Sequence, residues 1–257
     1  MKTTRTTFFT RDKKFYKTFF RLMLVVALQN LVAYSVNMAD NIMLGSYSQN
    51  ALSGAATVNQ IFFIVNQLAL SIGNALVAIC SQYWGKQETG AIRKMTGVAL
   101  ALSVLIGAIV VTACTRIPEQ LLRIFTTSPE IIAEGKAYLG LLKWTFLLFM
   151  ISNLLIAMLR SVETVKISFV ISVVSLITNG CINYTLIFGH FGFPEMGIQG
   201  AAVGTLTARM LELLIIVVYI WKIDTKVRLF DINLFRTIFS PENRKIWGAF
   251  FKVAFPI

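Results

Sequence analysis

Three ionisable side chains stand well inside long apolar runs of this sequence: Asp40, Arg209 and Glu212. In a hydrocarbon layer each costs several kcal/mol unless it is neutralised, so each is a functional candidate. Asp40 lies in the stretch Ser35-Val-Asn-Met-Ala-Asp-Asn-Ile-Met-Leu-Gly45, with Asn37 three residues earlier on the same helical face. A carboxylate beside amides can take up a proton or hold a small hard cation such as Na⁺ through oxygen ligands. An aspartate near the end of a span can equally cap its helix beside water. Arg209 and Glu212 are spaced to pair on one helical turn, where mutual neutralisation is the simplest role.

Polar partners for Asp40 lie further along the chain. Ser168, Ser172, Ser175, Asn179 and Asn183 recur every three or four residues and draw one stripe along a helix. Thr205 stands about eight residues into the next apolar run, which crosses in the opposite sense. At about 1.5 Å per residue, Asp40, Asn179, Asn183 and Thr205 all fall in the outer half of a bilayer. That shared depth permits a common cation-coupling site, and hydrogen bonding that glues helices together is the alternative. Gln60, Gln67 and Asn74 are seven residues apart, with Asn59 and Asn66 one residue behind. Such a row faces protein or a water-filled cavity rather than lipid, so it lines a substrate cavity or packs against a neighbouring helix.

Other chemistry finds no support. His190 is alone beside Gly189, and no nucleophile motif, phosphate loop or metal-ligand cluster appears. Cys80, Cys114 and Cys181 are far apart and odd in number, which fits buried free thiols. No enzyme activity and no cofactor beyond a coupling ion are expected.

The elements that must position these residues are membrane spans. The chain has 257 residues, 56% of them hydrophobic and 14% charged, with a mean hydropathy of +0.70. Six apolar runs, each able to cross the hydrocarbon core with about 20 helical residues, cover residues 20–44, 53–79, 95–115, 137–159, 167–188 and 197–221. Lys and Arg fix the orientation. Seven lie up to Arg21 at the start of the first run, three follow the second, two follow the fourth and six follow the sixth, whereas the opposite loops hold three, or four with Lys143. The positive-inside rule places both ends of the six-span bundle in the cytoplasm. The net charge of +12 is therefore an orientation signal, and no nucleic-acid partner is expected. Apolar and basic residues mix from Lys226 to Gly248, which reads as an amphipathic linker on the cytoplasmic membrane surface.

These residues together resemble the N-terminal half of a multidrug and toxic compound extrusion (MATE) transporter. Four stretches carry the likeness: Asp40-Asn-Ile-Met-Leu-Gly45 with Ala51-Leu52; Ser81-Gln-Tyr-Trp-Gly-Lys86; Leu159-Arg160-Ser161 with Lys166; and Asn179 to Gly189, followed by Phe193-Pro194 and Gly197 to Thr205. Their order along nearly the whole chain is more specific than any one of them. The resemblance implies an all-α integral membrane fold, one six-helix lobe of a twelve-helix protein, with residues 1–221 as the lobe, 222–248 as linker and 249–257 opening a seventh helix. It implies a cation antiporter of the bacterial plasma membrane that exports amphipathic, cationic drugs through a cavity between two lobes. Carried over by position, the N-lobe cation site of the family falls on Asp40, Asn179 and Thr205. Asn183 stands where some members have a second aspartate, which leaves one formal charge and favours H⁺ over Na⁺. Ser161-Val-Glu-Thr departs from the glycine-rich run of relatives. A second lobe, or self-association, is then expected for transport. Two alternatives remain: a flippase for lipid-linked sugars or lipids from a related superfamily, and a fragment that transports nothing.

Overall fold

A computed structural model of the chain describes residues 13–231, together with 248 and 250. Among the described residues the regular structure is helical throughout. The seven α-helices are α1 (Lys13–Tyr47), α2 (Gln49–Gly85), α3 (Thr89–Arg116), α4 (Pro118–Arg123), α5 (Pro129–Ser161), α6 (Lys166–Phe188) and α7 (Ile198–Lys222). Six of them, all but the short α4, are long and apolar enough to cross a membrane.

The helix ends follow local chemistry. Ser48 alone separates α1 from α2, and its hydroxyl accepts from the Ala51 amide at 3.4 Å. Such a cap serves an amide that has no partner inside the helix. Proline opens both α4 and α5, where a missing N–H costs nothing. Gly189 ends α6 at φ 69°, the left-handed conformation that glycine adopts without strain. Several helices begin well before the apolar runs do, because the backbone stays helical beyond the hydrophobic layer; α5 starts at Pro129 against an expected 137. The loop between the third and fourth spans also holds α4, too short and polar to register as a span.

Burial sets the hierarchy. Half of the most apolar window of α5 is buried but only 6% of that of α1. Thus α5 is the post of the bundle, packed on α2, α3 and α7, while α1 leans on α6 from outside. Close approach of α6 and α7 rests on glycine. A Cβ on Gly200 would meet the Leu186 carbonyl oxygen at 2.8 Å, and one on Gly204 would overlap Asn183 Oδ1. Cys80 and Cys114 are buried as expected, whereas Cys181 is exposed on the outward side of α6.

Beyond α7 the chain turns back on the bundle. Asp224 accepts from the amides of Lys226 (3.1 Å), Val227 (3.2 Å) and Arg228 (3.1 Å). Lys226 Nζ donates to the Val162 carbonyl at 2.6 Å and lies 5.4 Å over the Trp84 ring. Arg93 Nε donates to the Val227 carbonyl. Val227 and Leu229 are buried, so this first part of the expected linker packs against the bundle. The carboxylate organises three successive amides, and that turn drives the apolar side chains inward. The rest of the expected linker, residues 232–247, and nearly all of the expected seventh helix lie outside the described residues.

Candidate functional site

Four of the polar residues singled out above meet where α1, α6 and α7 come together. Asn183 Nδ2 donates to Asp40 Oδ1 at 2.6 Å and to Asn179 Oδ1 at 3.3 Å. Asn179 Nδ2 donates to Thr205 Oγ1 at 3.2 Å, and that hydroxyl donates to the Ala201 carbonyl at 3.0 Å. The bonds run outward from the Asn183 amide in two directions, to the Asp40 carboxylate on one side and through Asn179 and Thr205 to the Ala201 carbonyl on the other. Asn179 and Asn183 are almost wholly buried, at 1% and 0% exposure. The four-residue spacing of the two asparagines brings them to one face of α6, and the bare Cα of Gly204 leaves room for the second.

Asn183 spends both amide protons in this chain, and its Oδ1 is buried with no donor among the described residues. A buried acceptor without a partner costs about 1–3 kcal/mol. Here it sits beside a carboxylate, where a donor or a cation would satisfy it. The oxygens of Asp40, Asn179, Asn183 and Thr205 are the hard ligands that a proton or an alkali cation takes. Among the described residues no three His, Cys, Asp or Glu side chains gather as a metal site.

Two cavities flank the cluster. One, of about 40 Å³, is lined by Asp40, Asn37, Asn41, Asn59, Tyr138, Thr145, Thr205 and Arg209. The other, of about 140 Å³, is lined by Gln29, Asn30, Asn37, Asn153, Arg160, Ser172, Ser175, Asn179, Thr205, Arg209 and Glu212. Asn37, Thr205 and Arg209 border both. Arg209 donates to Glu212 Oε2 at 2.7 Å, and its guanidinium lies 5.0 Å over the Phe149 ring. Glu212 is only 6% exposed, so the arginine supplies the counter-charge that a buried carboxylate needs.

The glutamine row is placed elsewhere. Gln60, Gln67 and Asn74 are exposed along α2 and border neither cavity, although their neighbour Asn59 borders the smaller one. Ser168 is buried with an unpartnered hydroxyl, and His190 is exposed, stacked on Tyr184 at 4.5 Å between centroids. Several cavity residues, Gln29, Tyr138, Asn153 and Arg160 among them, are not singled out for this role by the sequence. For the two amides a signal exists: Asn153 is alone within an apolar run, and Gln29 stands beside Asn30 in another. Tyr138 gave none, because a tyrosine near a span end is ordinary.

The family profile described as MatE matches residues 26–185. A probable multidrug resistance protein NorM of Thermotoga maritima is 30% identical over 80% of this chain and 44% of its own length. One of Bacillus cereus (strain ATCC 14579) is 30% identical over 94% of this chain and 52% of its own. The chain thus spans about half the length of the curated relatives it matches. Among solved structures, the outward-facing conformation of a multidrug resistance MATE family transporter of the MOP superfamily superposes with a TM-score of 0.83. Its identity is 20%, over 93% of this chain and 51% of that one. A MOP superfamily transporter from Pyrococcus furiosus gives a TM-score of 0.82 at 21% identity, with the same coverage. These two establish the fold, a six-helix lobe that corresponds to half of each neighbour.

Proposed function

This chain belongs to the MatE family, as a multi-pass membrane protein, and from that membership we propose that it forms the cation-coupling lobe of a drug antiporter. The observation that carries the reading is the 2.6 Å bond from Asn183 to Asp40, which ties α1 to α6 through the only carboxylate of the cluster. The NorM relatives are named as probable multidrug resistance proteins, which supports an amphipathic drug as the exported substrate.

The proposed mechanism follows from that bond. With Asp40 ionised, the bond is charge-assisted and worth about 1.5–3 kcal/mol; with the charge neutralised it falls to about 1 kcal/mol. Uptake of a cation from outside therefore loosens α1 from α6 and frees the oxygens of Asn179, Asn183 and Thr205 to turn toward the ion. Release to the inside restores the tie. Coupling requires that the drug and the cation prefer different positions of α1. One formal charge in the cluster, with Asn183 in place of a second acid, favours H⁺ over Na⁺ as the coupling ion. An organic cation would gain from the amide-lined cavities around Asn37 and Asn153.

The test uses a full-length version carrying this lobe, reconstituted in liposomes. Asp40→Asn keeps the hydrogen-bond geometry but removes the charge, and is expected to abolish dye efflux driven by a pH gradient while expression is unchanged. Unimpaired efflux would remove Asp40 from the coupling step. Efflux that requires Na⁺ and ignores pH would replace the proton by the alkali ion.

A further inference from the structure

A separate cavity, of about 430 Å³, opens at the end of the bundle that holds the start of α1, the α5–α6 turn and the exit of α7. Arg21, Lys166 and Lys226 line it with Glu163 and the hydroxyl residues Thr18 and Thr164. Among the described residues none of the three cations is in an ion pair. Lys226 donates to the Val162 carbonyl and lies over the Trp84 ring, and among the described residues no carboxylate pairs with its ammonium group. No side chain caps α6 at Val165, so the positive end of that helix dipole also faces this region. Three cations against one carboxylate, with hydroxyl donors between them, make a receptor for a phosphate group.

The heights of these residues say which phosphate. Arg21 stands at the start of the apolar run of α1, and Lys166 is the first residue of α6. Lys226 follows the end of α7 by four residues. All three mark the level at which the bundle enters the hydrocarbon, on the side that the positive-inside rule gives to the cytoplasm. From Arg21 a stripe of exposed leucines runs down the same face of α1 at helical spacing: Leu24 (58%), Leu28 (37%) and Leu31 (63%). Lys166 heads a similar surface, with Val170 exposed one turn on. A ligand with an anionic head and long apolar tails fits both parts at once. We propose that this cavity binds the headgroup of an anionic phospholipid, its acyl chains lying along the exposed face of α1. Basic pockets between helices at this level have the right chemistry for such headgroups.

Native mass spectrometry of the chain, released from detergent with phosphatidylglycerol or phosphatidylcholine added, tests this. Phosphatidylglycerol is expected to stay bound and phosphatidylcholine to leave. Arg21→Gln and Lys166→Gln should each weaken retention about five-fold, the worth of about one basic residue at a membrane surface. Glu163→Gln should strengthen it, which keeps the test sharp if a cation variant folds poorly. Arg116→Gln, at the far end of α3, serves as the charge-matched control. Equal loss in the control, or equal retention of both lipids, would overturn the proposal. Full displacement of the lipid by millimolar inorganic phosphate would make a free anion the ligand and overturn it as well.

Discussion

At the scale of single residues, the polar cluster depends on an atom that is missing. Gly204 carries no Cβ, and any Cβ there would occupy the space of Asn183 Oδ1. Gly204→Ala is expected to displace the Asn183 amide, break its bond to Asp40, and cost about 1–3 kcal/mol as overpacking does elsewhere. A lower unfolding temperature in detergent together with lost efflux is the outcome to look for, whereas Gly180→Ala, open to space on α6, should change neither. Much of this cluster could be read from the chain. The spacing of Asn179 and Asn183 fixed a common face, and counting residues from the span ends put Asp40 and Thr205 at the same depth. What could not be read is which way each amide points, because hydrogen-bond direction depends on partners from three helices. Asn153 was legible in principle as a lone amide in an apolar run, but Tyr138 becomes meaningful only once α5 is known to be the central post.

The helices were the most legible level, since about 20 apolar residues admit one backbone solution in hydrocarbon. Their polar extensions and α4 were not, because hydropathy falls silent outside the membrane. The short α4 is tied to α5 by charge: Glu119 accepts from Arg123 at 2.9 Å and pairs with Lys136 at 3.3 Å. Arg123 and then Lys136 hold the Glu119 carboxyl below its ordinary range. A carboxylate depressed in the folded state stabilises at pH values above its unfolded pKa, and that contribution disappears as pH falls through the depressed value. Hydrogen-exchange protection of residues 118–128 should therefore drop in acid below about pH 4. Glu119→Gln should remove that step at every pH. The pair is exposed, so the effect belongs to this loop and leaves global stability nearly unchanged.

For the molecule as a whole, the exposed side of α1 is the dominant fact. Tyr34 (74%), Met38 (65%) and Ile42 (59%) stand on its outer half, where the Asp40 cluster backs onto α6. In the function proposed above the six helices provide one wall of a cavity, and the curated relatives that the chain matches are about twice as long. Reconstituted alone, this chain is expected to give no gradient-driven dye movement, and co-reconstitution with a second six-helix half should restore it. Movement by the chain alone would show that two copies close the cavity together.

The turn after α7 bears on how such a lobe can flex. Asp224 gathers three amides, Lys226 reaches the α5–α6 corner, and Arg93 reaches in from α3, so one end of four helices is riveted like the base of a folding fan. The ribs of a fan spread only at the free edge. Any spreading of α7 and α5 is then expected to be smallest at the rivet and largest at the far rim of the bundle.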